Sequence, residues 1–143
     1  MRAQPPPIAR CFIDTSAYFA LANRRDADHE RATSLLHSLA VSRVRLYTTN
    51  FILAETHALI LKRLDRSLAA SYVGGIYQSA MTVVRLSAAD ERRAWEIIGR
   101  YSDKDFSFTD ATSFAVMERL HIQHVFTLDR DFVQYGFISL VND

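Results

Sequence analysis

"RCFIDTSAYFALANR", residues Arg10–Arg24, is the stretch on which the fold turns. Cys11, Phe12 and Ile13 form an unbroken apolar run that predicts a short buried strand ending at Asp14. "TSAYFALANR" then reads as a helical stretch that runs out into the polar loop "NRRDAD". A strand feeding directly into a helix sets the pattern to look for in the rest of the chain.

The pattern repeats. From about Asp28, Ala32, Leu35, Leu36 and Leu39 fall at helical spacing. "VRLYTT" (44–49) is strand-like, and Asn50 is placed to cap the helix "FILAETHALILKRL". A helix over 67–79 and the strand "MTVVRL" (81–86) follow. Ser87 and Asp90 form an S-x-x-D capping box before "ERRAWEIIGRY", and Ser107 and Asp110 repeat it before "ATSFAVMERL". The chain closes with the strand "HVFTLD", a loop and the strand "FISLV". Strands alternating with helices predict an α/β protein, a three-layer α/β/α sandwich around a mostly parallel sheet. In open sheets of this kind, sites form outside the carboxyl ends of the strands.

Length and composition agree with one globular domain over residues 10–143, preceded by a proline-bearing extended or disordered lead-in over 1–9. A net charge of +1 gives no global basic field, so nucleic acid would have to be held by local clusters. The single cysteine, Cys11, excludes an internal disulfide and a cysteine-rich zinc site, and fits a reducing cytoplasm. The N-terminus lacks the apolar core of a secretory signal. The uncharged run Ser67–Val84 carries Ser67, Ser71, Gln78, Ser79 and Gly74-Gly75, so a helix and a strand suit it better than a membrane span.

Four acids from distant segments are placed to converge on the carboxyl edge: Asp14 and Asp129 at strand ends, Glu55 and Asp110 in the first turns of helices. Each has a structural alternative. Asp14 is a helix cap ahead of Thr15-Ser16, Asp110 is the acidic half of a capping box, and Asp129 is a post-strand loop residue. Glu55 shares a helix face with Ile52 and Leu59 and has no basic residue one turn away, so it is either a buried acid in need of a partner or a partly exposed one. Packed together, the four would repel strongly without cations. All-oxygen carboxylate sites suit Mg²⁺ or Mn²⁺, and one or two such ions support phosphodiester hydrolysis. Phosphate-loop, dinucleotide and serine-hydrolase motifs are absent, and the five histidines make no H-x-x-x-H pair. His121 and His124 read as capping or packing residues.

"FIDTSAYFAL", "TNFILAET" and "DFSFTDATSFAVMERL…VFTLDRDF" resemble, in order and spacing, the PIN-domain family, and within it the VapC-like toxin ribonucleases of type II toxin–antitoxin systems. The resemblance implies an Mg²⁺- or Mn²⁺-dependent endoribonuclease acting on structured RNA such as a tRNA or rRNA loop. It implies Asp14 and Asp110 as chief metal ligands, Glu55 to orient or deprotonate a metal-bound water, and Asp129 to complete the shell. Thr15, Ser16 and Thr109 match supporting hydroxyl positions. Asp103 and Asp105 read as a solvated loop at the site entrance, with Asp105 within reach of the site. Among the basic groups, Arg24-Arg25, Lys62-Arg63, Arg66, Arg92-Arg93, Lys104 and Arg130, the last two flank site residues and are the candidates for RNA contact. The resemblance further implies a small antitoxin and a homodimer, for which "HALILKRL" and "AYFAL" offer apolar surface, and no membrane. A non-catalytic RNA-binding PIN domain and a structure-specific DNA nuclease are the alternatives.

Overall fold

The computed structural model describes residues 7–141. Its elements, in chain order, are β1 (Arg10–Ile13), α1 (Thr15–Ala22), α2 (His29–Val41), β2 (Arg45–Thr49), α3 (Asn50–Arg63), α4 (Arg66–Gln78), β3 (Thr82–Val84), α5 (Ala88–Arg100), α6 (Phe108–Leu120), β4 (His124–Phe126), α7 (Asp131–Tyr135) and β5 (Ile138–Ser139). The strands form one fully parallel sheet in the order β3-β2-β1-β4-β5. The expected α/β/α sandwich is met. Residues 1–6 of the expected lead-in lie outside the described residues.

β1 takes the centre because Cys11, Phe12 and Ile13 can be buried on both faces at once, and all three are fully buried. Phe12 faces the aromatic side chains of α6 and α7, with its ring 6.2 Å from Phe132, which in turn meets Phe114 at 5.0 Å. α1 packs against α2 and α3, α3 against α4, and α5 against α6. Among the described residues no helix is long and apolar enough to cross a membrane; Ser67–Val84 is divided between α4 and β3.

Both S-x-x-D capping boxes form as expected, at Ser87/Asp90 and Ser107/Asp110. Three local expectations are corrected. The cap of α3 is Thr49, whose hydroxyl accepts the Ile52 N–H at 3.1 Å, while Asn50 is already helical and its side chain accepts the Leu86 N–H. β4 ends at Phe126, so Asp129 stands beyond the strand. The segment expected to be a loop after it folds into the short helix α7.

The order of strands creates the site's position. β2 and β4 lie on opposite sides of β1, so the sheet has its topological switch point at β1, where a crevice opens at the strand C-termini.

Candidate active site

Asp14 follows β1 directly and does two things with its two oxygens. Oδ1 accepts the Ser16 hydroxyl at 2.7 Å and the Ala17 N–H at 3.3 Å, which caps α1. Oδ2 accepts the Thr127 hydroxyl at 3.0 Å, across the crevice to the segment after β4. Ser16 Oγ also accepts the Leu128 N–H at 2.8 Å, and Thr127 Oγ1 accepts the Asp129 N–H at 2.9 Å. The two strand ends are thus tied together by hydroxyls. Asp14 is 4% exposed, and burial pushes its carboxyl up to about 7 against these hydrogen bonds, with the charge of Asp129 adding to the rise.

Asp110 reaches the same edge from the first turn of α6. Its carboxylate accepts the Ser107 N–H at 3.3 Å, and Ser107 Oγ accepts its N–H at 3.0 Å. Burial, hydrogen bonding with Asp131 and the charge of Asp129 push it up to about 8. Asp129 Oδ1 accepts the Asp131 N–H at 3.0 Å and so positions the start of α7. Burial, with the charges of Asp129 and Asp105, also holds Asp131 above the usual carboxylate range, although its hydrogen bond with Asp110 works the other way.

Asp110, Asp129 and Asp131 offer oxygens within 4.8 Å of one another. At an effective dielectric constant of about 20, like charges at that separation repel by roughly 3 kcal/mol per pair. Among the described residues, none of Asp14, Asp110, Asp129 and Asp131 has an ion-pair partner within 4.0 Å. A proton relieves the repulsion, and the raised carboxyls of Asp110 and Asp131 favour one there. A divalent cation relieves it without them, and an all-carboxylate donor set fits a hard ion of the Mg²⁺ or Mn²⁺ class.

The PIN domain family matches residues 11–138. The chain belongs to this family. The 23S rRNA-specific endonuclease VapC20 of Mycobacterium tuberculosis is 35% identical over 129 residues, covering 90% of this chain and 96% of the relative. The crystal structure of that protein, described as a sarcin–ricin loop cleaving toxin, superposes with a TM-score of 0.82 at 34% identity, covering 90% of this chain and 96% of the other. VapBC2 from Rickettsia felis, solved bound to a promoter DNA fragment, superposes with a TM-score of 0.71 over 94% of this chain and 99% of its own; at 14% identity it speaks for the fold alone.

Within this PIN fold the acids named from sequence separate. Asp110 and Asp129 meet, and Asp14 lies near enough to feel the charge of Asp129. Glu55 is exposed on α3, beside a buried face formed by Ile52, Leu53, Thr56 and Ile60. Its position one residue from Thr56 turns it off that face, and of the two alternatives it is the exposed acid. Ser16 hydrogen-bonds the Asp14 carboxylate. The Thr15 hydroxyl is buried without a hydrogen-bond partner, and Thr109 contributes its carbonyl, which accepts the Thr112 and Ser113 hydroxyls at 2.7 and 3.1 Å.

Asp131 and Thr127 escaped the sequence reading. Both lie within "TLDRDF", and the repeat of aspartate at 129 and 131 was the available signal; the short helix α7 turns the second one inward. Lys104 is exposed and lies 3.8 Å from Asp103. Arg130 is exposed and joins Asp129, Thr127 and Gln134 around an open cleft of about 290 Å³. Asp103 and Asp105 are exposed, as expected of a solvated loop.

Proposed function

We propose that this chain is a divalent-metal-dependent endoribonuclease that hydrolyses one phosphodiester bond in a structured RNA loop, acting as the toxin of a toxin–antitoxin pair. The observation that carries the reading is the set of carboxylates at the switch point, which have no basic partner among the described residues, in a chain 35% identical to a 23S rRNA-specific endonuclease. Ribosomal RNA, and a loop of the sarcin–ricin kind, is the first substrate to try.

In this reading Asp14, Asp110 and Asp129 hold Mg²⁺ or Mn²⁺, with Asp131 completing the set. The ion supplies charge that polarises the phosphodiester and favours ionisation of the attacking water. Ser16 and Thr127 keep the Asp14 carboxylate aimed, and Glu55, in solvent at the N-terminal half of α3, takes the proton from the attacking water. Lys104 and Arg130 contact backbone phosphates. A small antitoxin binds over this edge, and the working form is a homodimer.

The test is direct. Purified protein is incubated with total cellular RNA plus Mg²⁺ or Mn²⁺, and the new RNA ends are sequenced. Cleavage at one position, abolished by EDTA and by Asp14→Asn, is the expected result. RNA binding with no cut under any divalent ion would sink the enzymatic reading, and cutting of DNA alone would replace the substrate.

A further inference from the structure

Trp95 is the only tryptophan in the chain, and it stands on α5 with 60% of its surface exposed. One face of the indole is covered: it stacks on Phe108, with ring centroids 4.7 Å apart and planes 19° from parallel. Phe108 is held in turn by Phe51, edge-on at 5.8 Å. Three rings from α5, α6 and α3 thus form a ladder whose outermost rung is open. Phe108 opens α6 two residues before Asp110, and Phe51 lies one turn before Glu55 on α3. The middle ring of the ladder therefore belongs to the same first turn of α6 as Asp110.

We propose that this ladder is a stacking platform that takes one unpaired base of the RNA, with Trp95 as the contacting ring, so that the enzyme prefers loops to duplexes. The proposal rests on the nuclease reading above. Its chemistry follows from the geometry. A flat ring locked against a second ring presents a pre-set π-face, and every nucleobase can extend such a stack. Arg92, three residues before Trp95, is exposed and has no ion pair among the described residues, so a cation stands next to the platform for the phosphate of the same nucleotide. Among the described residues the exposed ring has no exposed apolar company on its own helix or on α6, which favours a single flat ligand over a protein contact. Trp95 is the only exposed large hydrophobic of α5 and α6 among the described residues, and the nearest one on α3, Leu61, lies at the opposite end of that helix from Phe51. A stable protein interface needs about 800 Å² on each side.

Because Trp95 is the sole tryptophan, its fluorescence reports on the stack alone. The Asp14→Asn protein is titrated, with Mg²⁺ present, against a stem-loop RNA and against the same stem closed as a plain duplex. Saturable quenching by the stem-loop and none by the duplex is expected. With wild-type catalytic residues, Trp95→Ala should raise KM for the stem-loop on the order of 10-fold with kcat retained, and Trp95→Phe should recover most of the loss. No quenching, or equal weakening for loop and duplex, overturns the platform. So does a change in oligomeric mass of Trp95→Ala by light scattering with RNA binding intact, which would make the ring a protein contact. Cleavage by the wild type without quenching removes the platform and leaves the nuclease reading standing. Quenching without cleavage does the reverse, and failure to bind any RNA removes both.

Discussion

The two capping boxes of this protein are the same four-residue device with opposite fates. Ser87-x-x-Asp90 opens α5 and Ser107-x-x-Asp110 opens α6, and in each the serine hydroxyl and the aspartate carboxylate satisfy each other's N–H. Asp90 is 3% exposed and receives Arg119 as a bidentate partner at 2.8 and 3.0 Å. Burial raises its carboxyl, but the hydrogen bonds from Arg119 and Ser87 and the charge of Arg119 together outweigh it and leave the group below the usual range. Asp110 meets Asp129 and Asp131 instead, and is pushed up to about 8. A capped helix start therefore costs an acid nothing in availability. The neighbour across the fold decides whether it is neutralised by an arginine or left among other acids.

The largest expected separation is in activity. Asp110→Asn keeps a side-chain oxygen for the cap and should lower RNA cleavage on the order of a hundredfold or more, with the fold intact. Asp90→Asn should leave kcat near wild type once folded protein is counted. Cleavage rates normalised to folded protein by circular dichroism decide this; similar losses in both variants would end the distinction between the boxes.

The same pair should reverse in stability. Asp90→Asn strips Arg119 of its partner and should cost about 1–3 kcal/mol in urea denaturation. Asp110→Asn removes a repelled charge and should be neutral or stabilising in EDTA above about pH 7. A destabilised Asp110→Asn protein would mean that the cap, rather than the repulsion, dominates.

The pH dependence of the metal-free protein sharpens the contrast further. Asp14 and Asp110 rise from an ordinary 3.8 to about 7 and about 8, so between those values the folded state holds more protons than the unfolded chain. That stabilisation is complete below about pH 4 and is lost as pH rises through 7 to 8. Asp90 and Glu118 are lowered, so their contribution persists above the ordinary range and fades only in acid. In EDTA the melting temperature should fall between about pH 5 and 8, and saturating Mg²⁺ should flatten or reverse that slope. A melting temperature that rises with pH in EDTA would contradict the shifts.

The smallest effect expected is that of the surface cations. Arg130→Ala should weaken RNA binding less than tenfold and reduce the salt slope by about one, as the loss of a single phosphate contact does. An unchanged slope would place Arg130 off the RNA path.

Much of this was legible in the chain. The run Cys11-Phe12-Ile13 announced the central strand, and the spacing of Ser87/Asp90 and Ser107/Asp110 announced two helix starts, because strand burial and capping depend on neighbours within four residues. Local rules also have local errors: Thr49 and Asn50 both suit an N-cap, and only the approach of Leu86 draws the Asn50 side chain away. Tertiary structure alone decided that Asp131 turns inward beside Asp110, that Glu55 faces solvent, and that Thr127 locks Asp14 from 113 residues away. The physical reason is one of range. Periodicity and capping are short-range preferences written residue by residue, whereas the protonation and partners of a carboxylate depend on burial and on charges that only the packed sheet brings within a few ångströms.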